Sequence, residues 1–102
     1  MKKVKPVIVR NAAEMAKALD LSPADAVEME IRRRINDKII AAVKRSGMTH
    51  AEVAKAAGTG RTRVTAIVNR NTSHVSTDLM LRILAALGYR AKISFTAGPR
   101  AA

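Results

Sequence analysis

A chain of 102 residues can bury one small core and no more, and with apolar residues at 48% but aromatics at 2% that core must be built from Ala, Val, Ile, Leu and Met. With no cysteine, disulfides and thiolate metal sites are excluded; no apolar run approaches a membrane span and no signal-peptide core follows the N-terminal lysines, so the expected location is the cytoplasm. A count of 19 Lys and Arg against 8 Asp and Glu gives a net charge of +11, which implies a polyanionic partner.

Residues 1–10 read as a basic arm (KKVKPVIVR from residue 2) that Pro6 limits to an edge strand. The helical domain then spans residues 11–88. Asn11 opens a short helix with Glu14 as its capping partner and Met15 and Leu19 as its apolar side. Ser22 caps a second start, with Pro23 at the first helical position and Asp25 in the first turn. Val27, Ile31, Ile35, Ile39 and Val43 continue at four-residue spacing until Gly47, which marks a long packing helix. Consecutive residues point around a helix in different directions, so Arg32 to Arg34 read as a solvated face paired with Glu28 and Glu30. Lys44 and Arg45 complement the negative end of the same helix.

Residues 49–69, THAEVAKAAGTGRTRVTAIVN, read as two short helices joined by a tight turn. Thr49 and Glu52 form a capping box at the start. Ala54 is the small residue a steep helix crossing demands, and Gly58 falls four residues later, where the chain needs a left-handed turn. Val53, Ala57, Val64 and Ile67 supply the remaining contacts between the two helices. The second helix is expected to begin near Arg61, with Val64, Ile67 and Val68 facing inward. Thr62, Ala66 and Asn69 then lie opposite that stripe, with Arg63, Thr65 and Arg70 on its shoulders. Short side chains that permit close approach, mixed with Arg and Asn donors, suit a helix laid in the major groove of duplex DNA. Arg61, Thr62, Arg63, Thr65 and Ala66 are the candidates for base edges.

A polar loop covers Arg70 to Val75, and Ser76 or Thr77 caps a further helix whose Leu79, Ile83, Leu84 and Leu87 form a stripe closed by Gly88. Tyr89, Ala91, Ile93 and Phe95 alternate with Arg90, Lys92 and Ser94, so residues 89–96 read as a strand with one buried face. A lone strand needs a partner. Only residues 4–9 read as another, paired within the chain or across a dimer. Residues 97–102 are expected to be a disordered tail.

Charge is unevenly spread: six of the eight acids lie between Glu14 and Asp37, whereas residues 53–102 hold eight cations and one acid, Asp78. That asymmetry puts positive potential on the half that contains the second short helix. An enzyme is not expected, because His50 and His74 are the only histidines, both read as surface residues, and neither a phosphate-binding glycine loop nor a metal-ligand set accompanies them. No cofactor is expected.

Thr49 to Asn69, followed by Ser76 to Gly88 (STDLMLRILAALG) and Tyr89 to Phe95 (YRAKISF), resembles the XRE-family regulators of the Cro and lambda-repressor type, nearest the subgroup of HigA-type antitoxins. Gly60 and Thr59 stand where such proteins usually carry a capping Ser and an aliphatic residue. The resemblance implies a mainly α, lambda-repressor-like helix-turn-helix bundle with a short C-terminal β-strand. It also implies phosphate contacts from Thr49, Asn69, Arg70, Asn71 and Thr72. Two functions follow from it. One is a homodimeric repressor that binds double-stranded DNA sequence-specifically. The other is an antitoxin that neutralises a small ribonuclease toxin and regulates its own operon.

Overall fold

The computed structural model describes residues 22–98. The basic arm, its strand over residues 4–9, the short helix from Asn11 and the tail residues 99–102 lie outside the described residues. Helix α1, Pro23–Ser46, starts where Ser22 Oγ accepts the Asp25 N–H at 3.2 Å while the Asp25 carboxylate accepts the Ser22 N–H at 3.3 Å. It stops at Gly47, whose φ of 70° is left-handed. Three shorter helices follow: α2, His50–Ala57; α3, Arg61–Val68; and α4, Thr77–Ala86, capped by Ser76 rather than Thr77. Helix α2 packs against α3 and α4, and α1 lies across α3 and α4.

The core is aliphatic. Ile39 and Val43 from α1, Val53 and Ala54 from α2, Val64 and Ile67 from α3, and Leu79, Met80, Ile83 and Leu84 from α4 form one cluster with Val75 from the loop. Each of the fully buried Ile and Val side chains contributes about 1.5–3 kcal/mol by leaving water. Ala57, Val68 and Leu87 pack at its margin.

Helices α2, α3 and α4 end in the same way. In the first, Gly58 N–H donates to Lys55 O and Thr59 N–H to Ala54 O; in the last, Gly88 N–H donates to Ala85 O and Tyr89 N–H to Leu84 O. At the end of α3 the paired bonds are Arg70 N–H to Ile67 O and Asn71 N–H to Ala66 O. These are Schellman motifs, which require one left-handed residue. Gly58 (φ 70°) and Gly88 (φ 88°) fill it in two, but in the third it is Arg70 (φ 60°), a conformation that costs a residue with a Cβ about 1–2 kcal/mol.

Three expectations need correction. Val27 and Ile31 are 60% and 49% exposed, because at about 1.5 Å per residue the 24-residue α1 outruns α3 and α4, of 8 and 10 residues, against which it packs. Arg32 does not belong to a solvated face. Its guanidinium turns inward and donates to Thr77 Oγ1 (2.8 Å), Thr72 O (2.8 Å) and Val75 O (2.6 Å). Its neighbour Arg33 takes the surface role instead, pairing with Glu30 at 3.1 Å and Asp37 at 3.3 Å. Finally, residues 89–96 carry no strand: among the described residues nothing offers an edge for their backbone to pair with, and Ile93 and Phe95 stand exposed. Tyr89 alone of that segment packs on the core, with the Lys38 ammonium 4.6 Å from its ring centre. Among the described residues, no helix is long and apolar enough to cross a membrane.

Candidate nucleic-acid interface

Helix α3 is held from beneath by apolar contacts and at its C-terminus by one polar tie. Val64 and Ile67 are fully buried. Asn36, the one buried polar residue among those described, donates through Nδ2 to Ile67 O at 2.8 Å, so α1 grips the last turn of α3 directly. With that face locked, the opposite face is fixed toward solvent. Arg61, Thr62 and Arg63 are exposed on its first turn, and Thr65 and Ala66 are half-buried along its side.

The first turn of α3 is electrostatically unbalanced. Gly60 at the N-cap supplies no side-chain acceptor, and the turn contains no acidic residue. Two guanidinium groups stand instead near the positive end of the helix, an arrangement worth a few tenths of a kcal/mol against stability for each exposed cation. An anion at that end reverses the sign. The contrast with α2 is direct: there Thr49 Oγ1 accepts the Glu52 N–H at 3.1 Å and the Glu52 carboxylate accepts the Thr49 N–H at 3.0 Å. The Thr49 backbone N–H, and then its hydroxyl, hold the Glu52 carboxyl below the usual carboxylate range.

Of the residues proposed for phosphate contact, Thr49 caps the start of α2 and Asn69 to Thr72 follow directly on the end of α3. Thr49, Asn69, Arg70 and Asn71 are exposed and Thr72 is half-buried. Arg70 is already engaged, its Nη1 2.7 Å from Asp37 Oδ1, and both side chains remain open to water. The backbone carbonyl of Thr72 is held by Arg32, which fixes the loop carrying these residues. Of the base-edge candidates, Thr65 is not free: its Oγ1 lies 2.9 Å from Nδ1 of His50, the first residue of α2. His50, read from sequence as a simple surface residue, therefore belongs to the same face. No spacing rule signals a contact across 15 residues between two different helices. His74 is exposed in the loop, and among the described residues no group of three or more His, Cys, Asp or Glu could hold a metal ion.

A family described as a helix-turn-helix domain matches residues 17–96, which include the four helices of the described residues and every residue of this face. No curated protein and no solved structure matches the chain.

Proposed function

We propose that this chain, which belongs to the helix-turn-helix domain family, is a sequence-specific double-stranded DNA-binding regulator that lays α3 in the major groove. The observation that carries this reading is the arginine placement around α3. Arg61 and Arg63 sit against the helix dipole, and Arg70 occupies a left-handed position better suited to glycine. The fold bears these local costs, and a polyanion facing α3 offsets them. Arg61, Thr62, Arg63 and Ala66 face base edges. Thr49, Asn69, Arg70, Asn71 and Thr72 meet phosphates on either side.

The regulator acts in the cytoplasm as a homodimeric repressor of the XRE type. A two-fold pair supplies two reading helices for half-sites about 34 Å apart. The exposed Ile93 and Phe95, and Val27 and Ile31 on α1, are apolar surface that a second copy would cover. Arg90 and Lys92 beside the first pair complement the exposed Glu28 beside the second.

The direct test is a footprint on the DNA upstream of the chain's own gene, with random duplex as competitor at fixed salt. Protected half-sites one helical turn apart support the reading. Substitution of Arg61 or Arg63 by Ala should weaken specific binding by about 1–3 kcal/mol where the guanidinium is bidentate to guanine. Affinity that follows salt alone and ignores sequence refutes it.

Val27 and Ile31 also favour a second reading, an antitoxin of the HigA type, since duplex DNA has no use for exposed apolar residues on the far half of α1. Copurification of a small ribonuclease encoded in the adjacent reading frame supports that role, and a chain that purifies alone from the intact operon excludes it.

A further inference from the structure

The contact between His50 and Thr65 limits what α3 is able to read. Thr65 Oγ1 is 2.9 Å from His50 Nδ1, and both side chains are half-buried where α2 meets α3. A threonine hydroxyl carries one proton, and within a helix it otherwise turns back to a carbonyl one turn earlier. Here the imidazole holds it. With that oxygen engaged by His50, the apolar parts that Thr65 and Ala66 bring to α3 are methyl groups on two adjacent, half-buried residues. Methyls of Thr and Ala do not hydrogen-bond a base edge; in the major groove they match the C5 methyl of thymine.

We propose that His50 is a positioning residue that fixes Thr65, so that Thr65 and Ala66 together select a thymine methyl in each half-site. This rests on the DNA-binding reading of α3 and names the base feature that its middle turn recognises. Arg61 and Arg63, one turn earlier, supply the hydrogen bonds, and the Thr65–Ala66 step supplies an apolar contact. His50 itself need not touch DNA.

The test uses the full chain and the duplex found by footprinting, with each thymine replaced in turn by deoxyuridine, which keeps the base pair and removes only the C5 methyl. One thymine per half-site should then weaken wild-type binding about fourfold, the value of one buried methyl. Thr65→Ser retains the hydroxyl and loses one of the two methyls, so its preference for the thymine duplex should fall clearly below the wild-type fourfold. His50→Leu should reduce the thymine preference when binding is measured well below its urea midpoint, where the chain is fully folded, and His50→Asn, which restores a polar atom at the Nδ1 position, should recover it. The proposal is overturned by a duplex with no methyl-sensitive thymine, or by Thr65→Ser and His50→Leu proteins that still prefer thymine as the wild type does. A wild-type protein that fails to distinguish the upstream duplex from a shuffled one overturns the DNA-reading assignment itself, and this inference falls with it.

Discussion

Replacing Arg32 tests whether the loop after α3 is held by the packing helix. Its guanidinium donates to Thr77 Oγ1 at 2.8 Å, Thr72 O at 2.8 Å and Val75 O at 2.6 Å, tying α1 to the loop and to the first turn of α4. A hydrogen bond from a charged donor contributes about 1.5–3 kcal/mol net, so simple addition would suggest roughly 5–9 kcal/mol. Two features reduce that. The guanidinium is only half-buried, so water replaces part of what is lost, and Thr72 O keeps a second donor in the Val75 N–H at 3.0 Å. Arg32→Ala should therefore cost about 2–3 kcal/mol, a large part of the roughly 5–15 kcal/mol that holds a domain folded. Arg32→Lys should recover little of it, because a single ammonium cannot reach three acceptors in a fork. Urea denaturation followed by circular dichroism measures both, with an unchanged slope confirming that the unfolding reaction is the same one. A Lys variant as stable as the wild type, or an Ala variant within about 0.5 kcal/mol of it, would refute the clamp.

Other substitutions separate stability from binding. Arg70→Gly removes a side chain from a left-handed position, so the Schellman turn should gain about 1 kcal/mol, less whatever the exposed ion pair to Asp37 contributes, while affinity for DNA falls; a thermal melt beside a binding titration reads the two opposite signs. Asp37→Asn releases Arg70 and also the second contact of Arg33, which keeps Glu30, and should leave stability within about 1 kcal/mol of the wild type because both pairs are exposed. If the ion pair keeps Arg70 from a phosphate in the wild type, the plot of log affinity against log salt should steepen by about 0.9; an unchanged slope would show that the pair does not compete with DNA for Arg70. Glu52 carries the acid dependence of α2: its carboxyl is held below the ordinary value in the folded chain, so its contribution is present above the unfolded pKa and is lost as pH falls through the folded one. Glu52→Gln keeps the capping geometry and removes the titration. The protection of the Thr49 amide, the slowing of its exchange relative to the intrinsic rate at the same pH, should then fall on acidification in the wild type and not in the variant.

Elements with local signals were legible from the residues alone. The cap at Ser22, the capping box at Thr49, the helix stop at Gly47, the left-handed glycine at 58, and the start of α3 at Arg61 each depend on residues within a few positions of one another. Features that depend on a tertiary neighbour were not. Arg32 reads as one of three consecutive surface cations until the loop 40 residues away is seen to offer it carbonyls. Asn36 interrupts no apolar stripe, and its partner, a backbone oxygen, has no sequence signature. Arg70 concealed a Schellman turn because the glycine that announces one is missing. The strand over 89–96 shows the reverse error: strict alternation states which side a strand would bury, but a strand exists only where a second edge meets it.

The polar ties now visible share one purpose. Asn36 and Arg32 lie four residues apart on one face of α1. The first holds the last turn of α3 through Ile67 O, and the second holds the loop that follows through Thr72 O and Val75 O. Apolar contacts resist separation but allow sliding and rotation, whereas hydrogen bonds to named carbonyl oxygens fix register. A reading helix misplaced by about 1 Å loses bidentate geometry at a base edge, since hydrogen bonds weaken steeply with distance and angle. The buried amide and the inward guanidinium therefore set the position of α3 relative to α1, and the exposed arginines inherit it. His50 applies the same restraint from α2 to the middle of the helix through Thr65. Loss of any one tie should thus blur discrimination between operators before it unfolds the chain, and the order of those two losses in a denaturant series is measurable.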